Sequence, residues 1–137
     1  MRKSGVLLSV SSLPSKYGIG CFDEAAYKFV DDLVEAKQTY WQILPLGITG
    51  YGDSPYQSFS TFAGNPFFIS LVEFVKCGYL KEEDLPEADI NSDYVDYSYL
   101  YENRYALLKK AYEISHITDN EDFKAYCKDN AWWLEDY

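Results

Sequence analysis

The sequence lacks any long hydrophobic run. Its longest apolar runs, GVLLSV and FFISLV, are far too short to cross a bilayer. The N-terminus MRKSG leads directly into a strand-like segment rather than into the apolar centre of a signal peptide. We therefore expect a soluble, cytoplasmic protein with no membrane partner.

Cysteine and histidine are also scarce. The three cysteines, Cys21, Cys77 and Cys127, form no CxxC pair and no cluster with histidine, and their odd number argues against a disulfide framework. The single histidine, His116, falls at the end of a predicted helix, where it suits the helix dipole better than it suits a catalytic base. These absences predict reduced, buried thiols, no metal and no cofactor.

Basic residues are few and unevenly placed. The net charge is −10, and residues 1–79 carry six basic and seven acidic side chains, whereas residues 80–137 carry six and fifteen. A surface this acidic repels phosphate backbones, so nucleic acid is excluded as a partner. The asymmetry predicts two structural regions that join near Gly78 and Leu80.

Apolar residues make up 47% of the chain and aromatic residues 18%, which is enough for one globular core. Gly5–Val10 and Thr39–Leu44 are short apolar runs that end in loops, as strands buried on both faces of a parallel sheet would be. Residues 23–36 between them repeat at helical spacing, with Asp23 as a cap and Asp31 and Asp32 exposed. The predicted core positions of this helix are Phe29, Val30 and Leu33. The order strand, helix, strand predicts two neighbouring parallel strands.

The remaining elements are predicted to be mostly helical. FFIS, residues 67–70, is expected to form a third strand, and Ser70 with Glu73 forms a capping box for a short helix that ends at Gly78. A polar linker then runs from Lys81 past Pro86. Two further helices follow. The first carries a stripe of Tyr101, Tyr105, Leu108 and Tyr112, whose tyrosines we interpret as packing residues in preference to a ligand platform. The second is capped by Thr118 with Glu121 and carries Phe123, Cys127, Ala131 and Leu134.

The segment between residues 45 and 66 is long, nearly uncharged and rich in rings. Ligands of parallel α/β folds bind where the loops after the strands gather, and this loop follows a predicted strand. A sugar ring needs aromatic platforms beside hydroxyl and amide groups. The residues that supply this chemistry are Tyr51, Tyr56, Ser54, Gln57 and Asn65. From the residues alone, carbohydrate contact and simple packing of the loop on itself remain equal interpretations.

Three stretches resemble one enzyme family. The stretches are SGVLLSVSSLPSKYGIG, TYWQILPLGITGYGDSPYQSFSTFAGNPFFISL and NAWWLEDY. They are similar to the N-terminal part of the 4-alpha-glucanotransferases of glycoside hydrolase family 77, which are also called amylomaltases or disproportionating enzymes. The resemblance is densest over residues 4–80, and GYGDSPYQSFS followed by FAGNP is its most specific part. It implies the α/β fold class, as the N-terminal part of a (β/α)8 barrel of the alpha-amylase type.

The resemblance also implies an activity and its sites. Such an enzyme cleaves an α-1,4-glucan and transfers the released segment to another glucan by retaining chemistry, which needs two carboxyl groups. By the family's motif Tyr56 would lie under the sugar at the cleaved bond, with Ser54 and Asp53 close by, and Tyr51 would match a tyrosine of a secondary glucan site. The implied catalytic carboxylates belong to later barrel strands and have no counterpart in this chain.

These implications define the expected organisation of the chain. Residues 1–79 would hold the first strands and helix of the barrel with the glucan-binding loop 45–66, and residues 80–137 would form an acidic helical insertion. The chain would be an inactive fragment whose uncovered sheet edges favour self-association. The alternative is a non-catalytic module that binds α-1,4-glucans or another partner.

Overall fold

Two short strands lie side by side at the start of the fold. The computed structural model describes residues 2–85 and 93–137. Strand β1, Gly5–Leu7, pairs in parallel with β2, Tyr40–Gln42, with Gly5 opposite Tyr40. The parallel pairing confirms the prediction. It also requires glycine at position 5, because a Cβ there would lie 2.4 Å from the carbonyl oxygen of Tyr40.

The strands are shorter and more exposed than predicted. After Leu7 the chain leaves the sheet, and Val10–Ser12 forms a 3-10 turn that buries Val10. Val6 and Leu7 point to opposite faces, yet 38% and 58% of their surfaces are exposed. The prediction of strands buried on both faces is therefore wrong for the described residues, whose sheet has two strands only.

Helix α1, Glu24–Glu35, connects the two strands. Asp23 caps it as predicted, since its carboxylate accepts a hydrogen bond from the Ala25 amide at 3.0 Å. Phe29 packs edge-on against Trp41 of β2 with ring centroids 5.0 Å apart. Leu33 is buried, but Val30 is 44% exposed, so its predicted place in the core is wrong. The buried stripe of α1 consists of Ala26, Phe29 and Leu33, and Asp31 and Asp32 are exposed as predicted.

The predicted third strand is wrong. Pro66–Phe68 forms a 3-10 turn, because Asn65 accepts a hydrogen bond from the Phe67 amide at 2.9 Å and proline has no amide hydrogen to give to a sheet. Helix α2 then covers Leu71–Lys76, and Ser70 caps it as predicted. Just beyond its C-terminal cap lies Gly78, as predicted, whose φ of +76° is the left-handed conformation that glycine adopts most easily.

The second half of the described chain is helical. After a 3-10 turn at Glu82–Asp84, helix α3 covers Tyr97–Ser115, helix α4 covers Glu121–Asp129 and helix α5 covers Ala131–Leu134. The predicted linker extends beyond Leu85 into residues that the structure does not describe, and Pro86 is one of them.

Helix α3 presents a different face to the core from the predicted one. Its buried residues are Leu100, Arg104 and Ala111, whereas Tyr101 and Tyr105 are 43% and 40% exposed. Tyr112 is exposed as well, whereas Leu108 packs into a buried cluster and Tyr101 and Tyr105 keep ring contacts with the buried Phe67. The two stripes have the same helical spacing and differ by one residue in phase, so periodicity alone does not separate them.

The end of the chain also differs from its prediction. Helix α4 is capped by Asn120, whose side chain accepts a hydrogen bond from the Phe123 amide at 3.0 Å. Thr118 is not the cap, because it lies inside a 3-10 turn at Ile117–Asp119. The predicted single helix is interrupted at Asn130. His116 ends α3, as predicted, with a φ of +46°.

All three cysteines are free thiols. Cys21 is buried as predicted, Cys127 is half-buried, and Cys77 is exposed because it lies at the C-terminal cap of α2. The prediction of burial is therefore wrong for Cys77.

The core consists of three clusters, and two of them join α3 to the first half of the chain. Ile19 and Phe67 pack with Leu100 of α3, and Leu71 and Leu80 pack with Ala111 of the same helix. The third cluster, centred on Val10, Leu13 and Ala26, lies beside the sheet. Helix α3 is therefore packed directly against the residues that precede and follow the long loop.

Candidate functional site

The long loop, residues 45–66, folds back on itself. Antiparallel bridges join Gly47 to Gly64 and Thr49 to Ser58, and the Asn65 amide donates to the Leu46 carbonyl at 2.8 Å. The loop begins directly after β2, as predicted, so it starts at the carboxyl end of a parallel strand. Its two sides hold a tip formed by residues 50–57.

The tip is a tight turn with two residues in left-handed conformation. Gly52 has a φ of +78° and Asp53 a φ of +53°, and the Asp53 amide donates to the Gly50 carbonyl at 3.1 Å. The hydroxyl of Ser54 accepts from the Tyr56 amide at 3.3 Å. This geometry leaves Tyr51 fully exposed and Tyr56 72% exposed. Exposed rings on an ordered turn are suited to stacking against a flat ligand.

Asp53 is tied to helix α3. The hydroxyl of Tyr101 donates a hydrogen bond of 2.9 Å to Oδ1 of Asp53, and the hydroxyl of Thr49 lies 3.5 Å from the same oxygen. Burial, together with this bond to Asp53, raises the pKa of Tyr101 above its ordinary value. The sequence favours helix packing over a ligand platform for Tyr101, and a contact across 48 positions leaves no signal in local sequence patterns.

The structure separates the predicted site residues into two groups. Five of them lie together at the tip, namely Tyr51, Asp53, Ser54, Tyr56 and Gln57. Asn65 lies apart from them at the base of the loop, where 5% of its surface is exposed and its amide oxygen caps the Pro66–Phe68 turn. The roles of all six residues in binding stay predictions.

A second aromatic group extends from the loop to the end of the chain. Phe62 lies edge-on to Trp132 with centroids 4.6 Å apart, and it also contacts Trp133. Phe59 stacks on Tyr137 at 6.3 Å. We did not predict these contacts, because the partners are separated by about half the chain. The rings of this group, most of which are exposed, support the side of the loop that follows the tip.

Buried charge lies beneath the base of the loop. Arg104 of α3 is 2% exposed, and its Nη2 donates to the carbonyl oxygens of Phe67 and Ile69 at 3.1 and 2.6 Å. Burial lowers the pKa of Arg104. Burial raises the pKa of Cys21 to about 12, and the neighbouring Asp23 carboxylate adds to the rise. The two bonds of Arg104 join α3 to the segment after the loop.

The chemistry available at the tip is recognition rather than bond cleavage. Asp53 is the only carboxylate between residues 45 and 66. Retaining cleavage of a glycosidic bond needs two carboxyl groups about 5 to 5.5 Å apart. Within residues 2–85 and 93–137 no group of three or more potential metal ligands is present, and no helix there has the length and apolar character of a membrane span.

Comparison with known proteins adds independent information. Residues 8–137 match the protein family described as 4-alpha-glucanotransferase. The chain is 54% identical over 137 residues to a 4-alpha-glucanotransferase of Streptococcus pneumoniae, covering 98% of this chain and 27% of that protein. It is 46% identical over 142 residues to the enzyme of the same name from Thermus thermophilus, with coverages of 99% and 27%.

A solved structure agrees with these matches. The amylomaltase from Streptococcus agalactiae in complex with acarbose superposes with a TM-score of 0.82 at 40% identity, covering 98% of this chain and 27% of that one. The chain thus spans about 27% of the length of these relatives. The matched residues and the shared fold establish that the chain belongs to the 4-alpha-glucanotransferase family, glycoside hydrolase family 77.

Proposed function

We propose that this chain supplies the N-terminal portion of a 4-alpha-glucanotransferase and contributes glucan contacts through the tip of its loop. Residues 1–79 would provide the first strands and helix of a (β/α)8 barrel, and residues 80–137 a helical insertion. The observation that carries the proposal is the ordered tip, which exposes Tyr51 and Tyr56 beside polar groups in a chain of this family.

The chemistry of the tip fits an α-1,4-glucan. A glucose ring has C–H faces that stack on aromatic rings and hydroxyls that pair with short polar side chains. Tyr56 would lie under the sugar at the cleaved bond, with Asp53, Ser54, Gln57 and Asn65 as polar neighbours, and Tyr51 would serve a secondary site. The related amylomaltase was solved with acarbose, which supports a carbohydrate as the ligand of this chain.

The transfer itself would need residues outside this chain. In retaining chemistry one carboxylate attacks the anomeric carbon and forms a covalent glycosyl-enzyme, while a carboxylic acid protonates the departing oxygen. The acceptor hydroxyl then attacks the same carbon, gives its proton to the second carboxylate and displaces the first. Asp53 does not fill either role, because Oδ1 already accepts from Tyr101 and no second carboxylate lies in the loop. The tip would act by holding donor and acceptor sugars in place, so that a sugar reacts in preference to water.

The first consequence is that the 137-residue chain alone has no transferase or hydrolase activity. Incubation with maltotriose, followed by chromatography of the sugars, should give neither glucose nor longer maltodextrins. Products that persist after repurification of the chain would contradict this expectation.

The second consequence concerns Tyr56 in a full-length polypeptide that carries this loop. Loss of one stacking ring costs on the order of 1–3 kcal/mol, by analogy with stacking on nucleobases. Tyr56→Ala should therefore lower kcat/KM for maltotriose by roughly 5- to 150-fold. Tyr56→Phe keeps the ring and should keep most of the activity.

The melting temperature of each variant separates binding from packing. Because Tyr56 is 72% exposed, Tyr56→Ala should leave Tm nearly unchanged. Normal kinetics with a lowered Tm would mean that Tyr56 only packs the loop, and would refute the proposed role of its ring.

A further inference from the structure

Helix α1 has a wider apolar surface than its own chain buries. Beside its buried stripe lies a second apolar stripe, Tyr27, Val30 and Val34, whose side chains are 70%, 44% and 69% exposed. At about 100° per residue the two stripes together span about 160° of the helix circumference, and the buried one only about 60°. The charged side chains lie on the opposite side, namely Glu24, Lys28, Asp31, Asp32 and Glu35. The second stripe therefore has the pattern of a surface that packs against a further element.

The sheet is open at its edges as well. Within residues 2–85 and 93–137, β1 and β2 pair only with each other, so each strand has one edge without a partner strand. Such an edge presents backbone donors and acceptors to any strand that comes alongside. Side chains on the faces of the sheet are exposed too, among them Leu7 at 58% and Tyr40 at 55%. An open edge with exposed apolar side chains is suited to the addition of further strands.

We propose that the second stripe of α1 and the open edges of the sheet form a docking surface for a separate polypeptide built of further strand–helix units. The occupant would be the part of a family member that this chain does not contain, because the chain spans 27% of the length of its relatives. Right-handed units that follow each other along a parallel sheet place their helices on the same face. A strand that is added beside β1 or β2 therefore brings its helix next to α1, where it covers the second stripe.

A second copy of this chain fits the surface less well. Each copy carries a net charge of −10, so two copies repel each other. A copy would also bring only the same two short strands to the interface. A partner from the rest of the family's fold would instead cover an edge, a face and the second stripe together. The identity of this partner rests on the proposed function, in which the partner would bring the missing carboxylates to the glucan loop.

Co-expression with the missing part of a relative tests the docking surface. The probe is the segment of the Streptococcus pneumoniae 4-alpha-glucanotransferase that follows the region matched by this chain. Gel filtration with light scattering should show a complex with one copy of each polypeptide. Hydrogen–deuterium exchange should be slower in this complex than in the chain alone for peptides that cover residues 5–7, 27–34 and 40–43.

A pair of matched variants tests the second stripe of α1. Val34→Lys places a charge in the stripe and should weaken the complex roughly 10- to 100-fold, the ratio that corresponds to the lost burial of one aliphatic side chain. Ile114→Lys is the control, because Ile114 is a 45% exposed aliphatic residue of α3 outside the proposed surface. Both variants change exposed residues, so both should keep the Tm of the 137-residue chain. Equal affinities of the two variants for the probe would overturn the proposal.

The remaining outcomes separate the possible occupants. The proposal would be wrong if the probe does not bind, or if the chain alone forms dimers that protect residues 27–34 and that Val34→Lys dissociates. Where the probe does not fold by itself, its fusion to the end of this chain provides the measurement. Residues 27–34 should then exchange more slowly in the fusion than in the chain alone, and equal exchange would overturn the proposal. A complex that binds as expected but does not convert maltotriose would refute the proposed function and leave the docking surface intact.

Discussion

Phe67 provides the sharpest test of how the fold is held together. Its side chain is 1% exposed and packs with Ile19 and Leu100 in one buried cluster. Rings of α3 surround it, with Tyr101 and Tyr105 both at centroid distances of 5.3 Å. Phe67 therefore lies where the segment after the loop meets helix α3.

Phe67→Ala should destabilise the chain by about 3–5 kcal/mol, the usual cost when a buried aromatic ring is replaced by a methyl group. Small domains have total stabilities of about 5–15 kcal/mol, so this loss removes a large fraction. For a chain of this size the corresponding fall in Tm is roughly 10 to 20 °C.

Urea unfolding followed by fluorescence and circular dichroism measures this loss directly. Phe59→Ala is the matched control, because Phe59 is 68% exposed and its removal should cost less than about 1 kcal/mol. Where Phe67→Ala fails to fold, Phe67→Leu provides the measurement and should show a smaller loss in the same direction. Equal stabilities of Phe67→Ala and Phe59→Ala would refute the placement of Phe67 between the loop and α3.

Two further predictions follow from burial and charge. Cys77 is exposed, Cys127 is half-buried, and Cys21 is buried with a pKa of about 12. A thiol reagent at pH 8 should therefore label them in that order, and Cys21 only after denaturation. Rapid labelling of all three thiols in the native state would contradict this order. Lys110 donates to Asp84 at 2.6 Å and lowers the pKa of that carboxyl, so the bond stabilises the fold above the ordinary pKa of aspartate and is lost as pH falls through the lowered pKa. Asp84→Asn should therefore lower Tm at pH 7, and this difference in Tm between the variant and the wild type should shrink as the solution is acidified. A difference in Tm that stays constant with pH would be inconsistent with the ion pair.

Local signals in the sequence predicted several features of the first half of the fold. The parallel pairing of the strands, the cap at Asp23, the cap at Ser70 and the end of α2 at Gly78 follow from short patterns of apolar, capping and turn residues. The caps and the end of α2 depend on residues close together in the chain, whereas the parallel pairing joins segments distant in sequence and follows from the order strand, helix, strand.

The failures share a different origin. FFIS has the composition of a strand, but the amide oxygen of Asn65 and the ring of Pro66 made a 3-10 turn more favourable. The phase of α3 was wrong because its buried face is selected by Phe67, Leu71 and other distant residues, and not by the spacing within the helix. Strand burial was overestimated because it depends on the size of the sheet, which has two strands only in the described part of the chain.

The residues of the candidate site stay predictions, and the sequence did not indicate how the loop that carries them is built. The tip residues followed from the chemistry that sugars require and from the family's motif, and the structure brings five of the six together. The bond from Tyr101 to Asp53 and the contacts of Phe62 with the tryptophans near the end of the chain join residues that are distant in sequence. No local pattern encodes such contacts.

The most direct test of the account is whether an α-1,4-glucan contacts the long loop. Hydrogen–deuterium exchange of a full-length polypeptide that carries this sequence should be measured with maltoheptaose, with cellohexaose and without sugar. Maltoheptaose should slow exchange in peptides that cover residues 45–66, and cellohexaose should leave them unchanged. Protection by maltoheptaose elsewhere in the protein, with exchange in residues 45–66 unaltered, would contradict the assignment of this loop to the glucan site.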